Sequence, residues 1–154
     1  ALQDEGELAK AITKYDEAIR VEPNCYEAHY NKGNALQKLG RLKEAISCFQ
    51  NAVKINANSS EAFFNLANVQ MELKEVSTAI LNYDNAININ KEYSSAYWNK
   101  SLALLLTGNF DESRSASSIV NFYALIGSGI ALVSDVIIKF IKPKNIKLAK
   151  LLYE

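Results

Sequence analysis

Cys25 and His29 stand four residues apart, one helical turn, and a thiol beside an imidazole can serve as a nucleophile with its base or as half of a metal site. His29 is the only histidine, and no third ligand or orienting partner accompanies the pair, so neither catalysis nor metal binding is expected of it. Its position among apolar residues suits a ring held in a core. Cys48, the second of two cysteines, alternates with core-facing residues and reads as a free thiol. Acidic residues are scattered over solvent-type positions, and Asp111-Glu112 suits the start of a helix. With no glycine loop to cradle a phosphate, the chain is read as non-enzymatic and without a cofactor.

A second set of residues offers hydrogen-bonding chemistry. Asn31, Asn65 and Asn99 recur every 34 residues, and Asn34 and Asn68 repeat the amide in two of the three copies. Each amide carries donor and acceptor together, as does the backbone of an extended peptide. Tyr30, Phe64 and Trp98 keep the same interval and add rings for side-chain contact, while Glu27 and Glu61 fall on the same stripe. The competing reading is that these asparagines pack or cap neighbouring helices.

A row at fixed spacing needs elements that repeat at that spacing. Ala11, Ala45 and Ala79 are 34 residues apart, and the next step lands on Ser113. Rings follow at Tyr15, Phe49 and Tyr83, small residues at Ala18, Ala52 and Ala86, and glycines assigned to turns at Gly6, Gly40 and Gly108. Between Tyr26 and Ser59 helical periodicity occurs twice, through Ala28, Ala35, Leu36 and Leu39, then through Leu42, Ala45, Ile46, Phe49, Ala52 and Val53. Gly40 between them can end a helix in the left-handed conformation, so the two helices turn back on each other. Polar punctuation at Pro23-Asn24, Asn56 to Ser60 and Asn90 separates the hairpins. First helices are predicted over 26–39, 60–73 and 94–107, with His29, Gly33 and Leu36 on the core side and the asparagine stripe opposite. The architecture is an all-α solenoid of antiparallel helical hairpins.

The segments GELAKAITKYDEAI, GRLKEAISCFQNAV and KEVSTAILNYDNAI share one pattern, and it resembles the second half of a tetratricopeptide repeat. The resemblance spans about residues 1 to 113: a partial repeat over 1–25, repeats at 26–59 and 60–93, and a divergent one from 94 that fades after NFDES, within an array ending near 118. Departures are His29, Phe63 and Tyr97 in place of the first-helix tryptophan, Lys74 in place of one turn glycine, and a late proline kept only as Pro23. The resemblance implies a right-handed α-α superhelix whose first helices line a groove for a peptide or partner helix. It thus implies a scaffold that binds protein. The asparagine row looks like that of the O-linked N-acetylglucosamine transferase superhelix. Relatives that clamp a terminal carboxylate use lysine where Tyr30, Phe64 and Trp98 stand, and a ring cannot make that ion pair. A substrate-recognition piece of a larger enzyme, such as a glycosyltransferase, is the alternative reading.

Beyond Glu112 the pattern decays. Residues 119–154 are read as apolar helices with a basic tail. The stretch 119–141 is broken by Gly127-Ser128-Gly129 and Asp135, and three roles compete for it: a cap on the solenoid, a surface for self-association, and a membrane segment. Asp135 and the glycines count against the membrane. Pro143 stops the helix, and Ile146 to Tyr153 form a short amphipathic segment.

Seventeen basic residues balance seventeen acidic ones, so no net field draws the chain to nucleic acid or a membrane. Five lysines of 139–154 face only Glu154 and read as a solvated face. Two cysteines are too few for a disulfide framework, which favours a reducing, cytoplasmic setting. The chain opens mid-repeat without an initiating methionine and is expected to belong to something longer.

Overall fold

The computed structural model of the chain describes residues 2–109, 112, 113 and 115. The expectations for 119–154 lie outside these residues. Among the described residues six α-helices are delimited: α1 (Leu2–Val21), α2 (Tyr26–Lys38), α3 (Leu42–Ile55), α4 (Ser60–Glu72), α5 (Val76–Ile89) and α6 (Ser94–Leu106). None of the described helices is long and apolar enough to cross a membrane.

The three first helices, α2, α4 and α6, start and stop by one rule. Their N-caps are Cys25, Ser59 and Tyr93, and Ser59 alone closes its helix with a side chain, accepting from the Ala62 N–H at 3.1 Å. Their C-caps, Leu39, Leu73 and Thr107, lead into a residue with positive φ: Gly40 at 70°, Lys74 at 63° and Gly108 at 79°. At each end the N–H of that residue reaches back three positions, to Gln37, Met71 or Leu105. The following N–H reaches back five, to Leu36, Gln70 or Leu104. This paired bonding satisfies carbonyls that the helix end leaves open, and it requires the left-handed residue. Lys74 therefore occupies a glycine conformation because the turn demands it. Gly6 does not: it lies inside α1 in helical geometry, contrary to the turn expected there.

The chain divides into two compact units, Ala1–Glu75 and Val76–Glu154. In the first, α1 packs on α2, α2 on α3 and α3 on α4, and α2 also meets α4. Its core joins Ile12, Ala35, Leu36, Ala45, Cys48, Phe49, Leu66 and Val69. Ala45, Phe49 and Ala52 are fully buried, as the repeating small-ring-small pattern requires. Ala11, Tyr15 and Ala18, the same positions of α1, remain half-buried, since α1 packs against α2 alone among the described elements. Replacing Ala45 with leucine should cost about 1–3 kcal/mol through overpacking, read as a lower urea midpoint at unchanged m-value.

In the second unit α5 packs on α6, with Ala79, Tyr83 and Ala86 buried. Ser113, which takes the alanine position of the fourth repeat, is buried and exchanges hydrogen bonds with Ser101: its Oγ donates to the Ser101 carbonyl at 2.9 Å, and the two hydroxyls lie 3.1 Å apart. Two polar residues thus replace a small apolar contact without leaving a hydroxyl unmet.

Candidate functional site

Cys25 and His29 face different partners. The Cys25 thiol, half-buried, donates to Glu27 Oε2 at 3.8 Å, whereas the His29 ring is buried and lies with Nε2 2.9 Å from the Pro23 carbonyl. A carbonyl only accepts, so Nε2 carries the proton and Nδ1 is left as a buried acceptor without a partner. Among the described residues no group of three histidine, cysteine or acidic side chains is arranged to hold a metal ion. Cys48 is buried, which pushes its thiol above the usual range and away from the reactive thiolate.

The asparagine stripe is organised where α2 and α4 run side by side. The Asn65 amide donates from Nδ2 to Tyr30 Oη at 3.1 Å and to Asn34 Oδ1 at 3.0 Å. At one end Tyr26 Oη lies 2.6 Å from Ser59 Oγ, and at the other Gln37 Nε2 donates to Glu72 Oε1. Three bonded positions thus tie the two helices along one face. Tyr30 is held from two further sides, stacked on Tyr26 at 5.7 Å and edge-on to Phe49 at 6.0 Å.

A polar chain leads outward from Tyr26. Ser59 Oγ accepts the Ala62 N–H and lies 3.5 Å from Glu61 Oε2 and 2.6 Å from the Tyr26 hydroxyl, and either hydroxyl can donate in the latter contact. Burial raises the Tyr26 phenol above its ordinary value, and the charges of Glu61 and Glu27 raise it further, with the Ser59 hydrogen bond pulling the other way. Both carboxylates therefore lie close enough to be felt at the ring.

Of the residues expected from sequence, Tyr30, Asn34 and Asn65 are brought into one network, with Glu61 joined to it through Ser59 and Glu27 beside Tyr26. Asn31 is exposed and makes no side-chain hydrogen bond among the described residues. Phe64 and Asn68 are half-buried on α4, each with interactions of its own. Asn99 and Trp98 stand on α6 of the second unit, the first half-buried and engaged, the second 38% exposed. Tyr26 and Ser59 were not singled out by the sequence. The signal that could have found them is the recurrence of Cys25, Ser59 and Tyr93 just before each first helix.

In the second unit Lys100, largely buried, bridges Asp84 at 2.8 Å and Glu112 at 3.2 Å. Burial disfavours its ammonium, but the hydrogen bonds to Asp84 and Glu112 outweigh that and hold its pKa above the ordinary lysine value. The pair ties α5 and α6 to the helical residues that follow.

The family model of the tetratricopeptide repeat matches residues 26–59, and a second, for the TPR repeat, matches 1–40. No curated protein matches the sequence. Solved structures do: that of MamA superimposes with a TM-score of 0.80 at 23% identity, covering 98% of this chain and 86% of that one. YrrB, a TPR protein with an unusual peptide-binding site, gives 0.75 at 22% identity over 99% of this chain and 77% of its own. The O-GlcNAc transferase of Thermobaculum terrenum, as a mutant, gives 0.67 at 20% identity over 79% of this chain and 23% of its own. The likeness at such identities is one of fold, an all-α solenoid of helical hairpins.

Proposed function

Because this chain belongs to the tetratricopeptide-repeat family, we propose that it is a non-catalytic scaffold that grips an extended peptide along the first helices. The observation that carries this reading is the Asn65 network. Both amide hydrogens of Asn65 are engaged by Tyr30 and Asn34, which leaves its Oδ1, the Asn34 Nδ2 hydrogens and the Tyr30 hydroxyl proton for a ligand. Asn31, one turn away, adds an exposed amide. An extended backbone presents the matching alternation of donors and acceptors. By the same repeat, Phe64 and Asn68 on α4, and Trp98 and Asn99 on α6, are the further ligand-facing residues of each unit. Support also comes from the fold neighbours: YrrB has a peptide-binding site, and the first TPR of Spaghetti (RPAP3), with a TM-score of 0.64, is bound to an HSP90 peptide.

The test begins with a peptide selected from a random display library against the full chain. Asn31→Ala and Asn34→Ala should each weaken its binding, together by about tenfold, equivalent to about 1.4 kcal/mol. The melting temperature of Asn31→Ala should stay within about 3 °C of wild type, because that side chain is exposed and unbonded among the described residues, whereas Asn34→Ala also removes an acceptor of Asn65 and should cost about 1 kcal/mol of stability. A peptide whose affinity ignores both substitutions would place binding elsewhere.

A further inference from the structure

We infer that the Tyr26 end of this face receives an arginine side chain of the bound peptide. The inference rests on the peptide-binding reading above and goes further by naming the ligand's charge.

Tyr26 and Tyr30 form a nearly parallel pair, 15° between planes, and both remain partly open to solvent. Tyr30 cannot swing away, since Phe49 backs it and Asn65 holds its hydroxyl. The result is a fixed aromatic step on the surface. Glu27 and Glu61 flank it, one in the first turn of α2 and one in the first turn of α4. Among the described residues Glu7, Asp16, Glu44, Asp84 and Glu112 form ion pairs, whereas Glu72 on the same face, at its far end, takes the neutral Gln37 amide. Glu27 and Glu61 take only neutral donors, the Cys25 thiol and the Ser59 hydroxyl.

Two carboxylates without a cation beside stacked rings make a surface complementary to one kind of side chain. A guanidinium lies flat on an aromatic face and at the same time offers paired N–H donors to a carboxylate. The lysine of this stripe, Lys38, closes the far end of α2, about 18 Å from Tyr26 at helical rise, which is more than twice the screening length at physiological salt. It does not cancel the field at Tyr26. In the second unit the residue equivalent to Glu27 and Glu61 is Ser95, so the cation site belongs to the first unit.

The experiment compares three blocked octapeptides of alternating glycine with arginine, citrulline or glutamate, titrated into the full chain at physiological salt. Citrulline keeps the planar shape and length of arginine, removes its charge and puts a carbonyl acceptor where one of the paired N–H donors stood. The arginine peptide should bind about tenfold more tightly than the citrulline peptide, as cation–π and charge-assisted contacts at a partly desolvated site imply. Glu27→Gln with Glu61→Gln should abolish that advantage, so that the arginine and citrulline peptides bind this variant equally. A charge-matched control, Glu7→Gln with Glu44→Gln, should keep it. Equal affinity for arginine and citrulline peptides, a preference for glutamate, or an equal loss in the control would overturn the arginine site and leave the peptide-binding reading standing. Binding of none of the three would likewise overturn the arginine site, the display-selected peptide deciding the peptide-binding reading separately.

Discussion

Truncating Phe49 to alanine is expected to cost about 3–5 kcal/mol, the range for removing a buried aromatic ring, and to be the most damaging single change in the first unit. The ring is fully buried at the centre of the cluster formed with Leu36, Ala45, Leu66 and Val69. Its removal leaves a cavity and also removes the support behind Tyr30, whose hydroxyl receives the Asn65 amide. Stability and ligand capture should therefore fall together. Against a total of about 5–15 kcal/mol for a domain, a loss of this size lowers the urea midpoint by a large fraction, which circular dichroism would read directly. A drop under about 1 kcal/mol would mean that the neighbours collapse into the space and that the ring is not the keystone of this core.

The second large effect is at Gly33. A Cβ placed there would lie 2.8–2.9 Å from three carbon atoms of the same Phe49 ring. Alanine is the better helix former by about 1 kcal/mol, so propensity alone predicts that Gly33→Ala stabilises α2. The overlap should reverse the sign and leave a net loss of about 2 kcal/mol, because a buried ring has no free volume to move into. Introducing Gly33→Ala into a Phe49→Leu background should shrink the penalty by more than half, and the difference measures the coupling between the two positions. Additive losses in the double variant would show that the glycine is required for another reason.

Much of this architecture was legible because burial repeats with the sequence. Ala45 and Ala79, a repeat apart, are both fully buried, and the helices predicted over 26–39, 60–73 and 94–107 differ from those observed only by the capping residue. Gly40 and Gly108 adopt the left-handed turn their type permits. Lys74 does so too, against its type, since the two backward hydrogen bonds at the end of α4 fix the conformation whatever the side chain, at a cost on the order of 1 kcal/mol. Gly6 shows the converse: a glycine permits a turn and does not compel one.

For the candidate face, the repeated residue types could be read from the sequence and their hydrogen-bond connections could not. A 34-residue period invites pairing of identical positions, Asn31 with Asn65. The bonds observed join positions 35, 31 and 33 apart, Tyr30 and Asn34 to Asn65 and Tyr26 to Ser59. Side chains on parallel-running helices lean toward their own N-termini and meet neighbours one turn away, an offset set by packing geometry that no one-dimensional period contains. For the same reason Cys25 and His29, adjacent on a helix turn, point to different partners. The Lys100 bridge combines residues from three segments, none of which marks its partner in sequence.

The two bonds made by Asn65 also give the face a direction. With both hydrogens held, the amide cannot rotate by half a turn without breaking them, so its open side is an acceptor, while Asn34 beside it opens as a donor. Reading along α2 and α4, the order of donors and acceptors is therefore not the same forwards and backwards. For the peptide proposed to lie along it, an acceptor and a donor at fixed places set the register: only a backbone whose N–H and C=O fall at that spacing meets both, before any side chain is read.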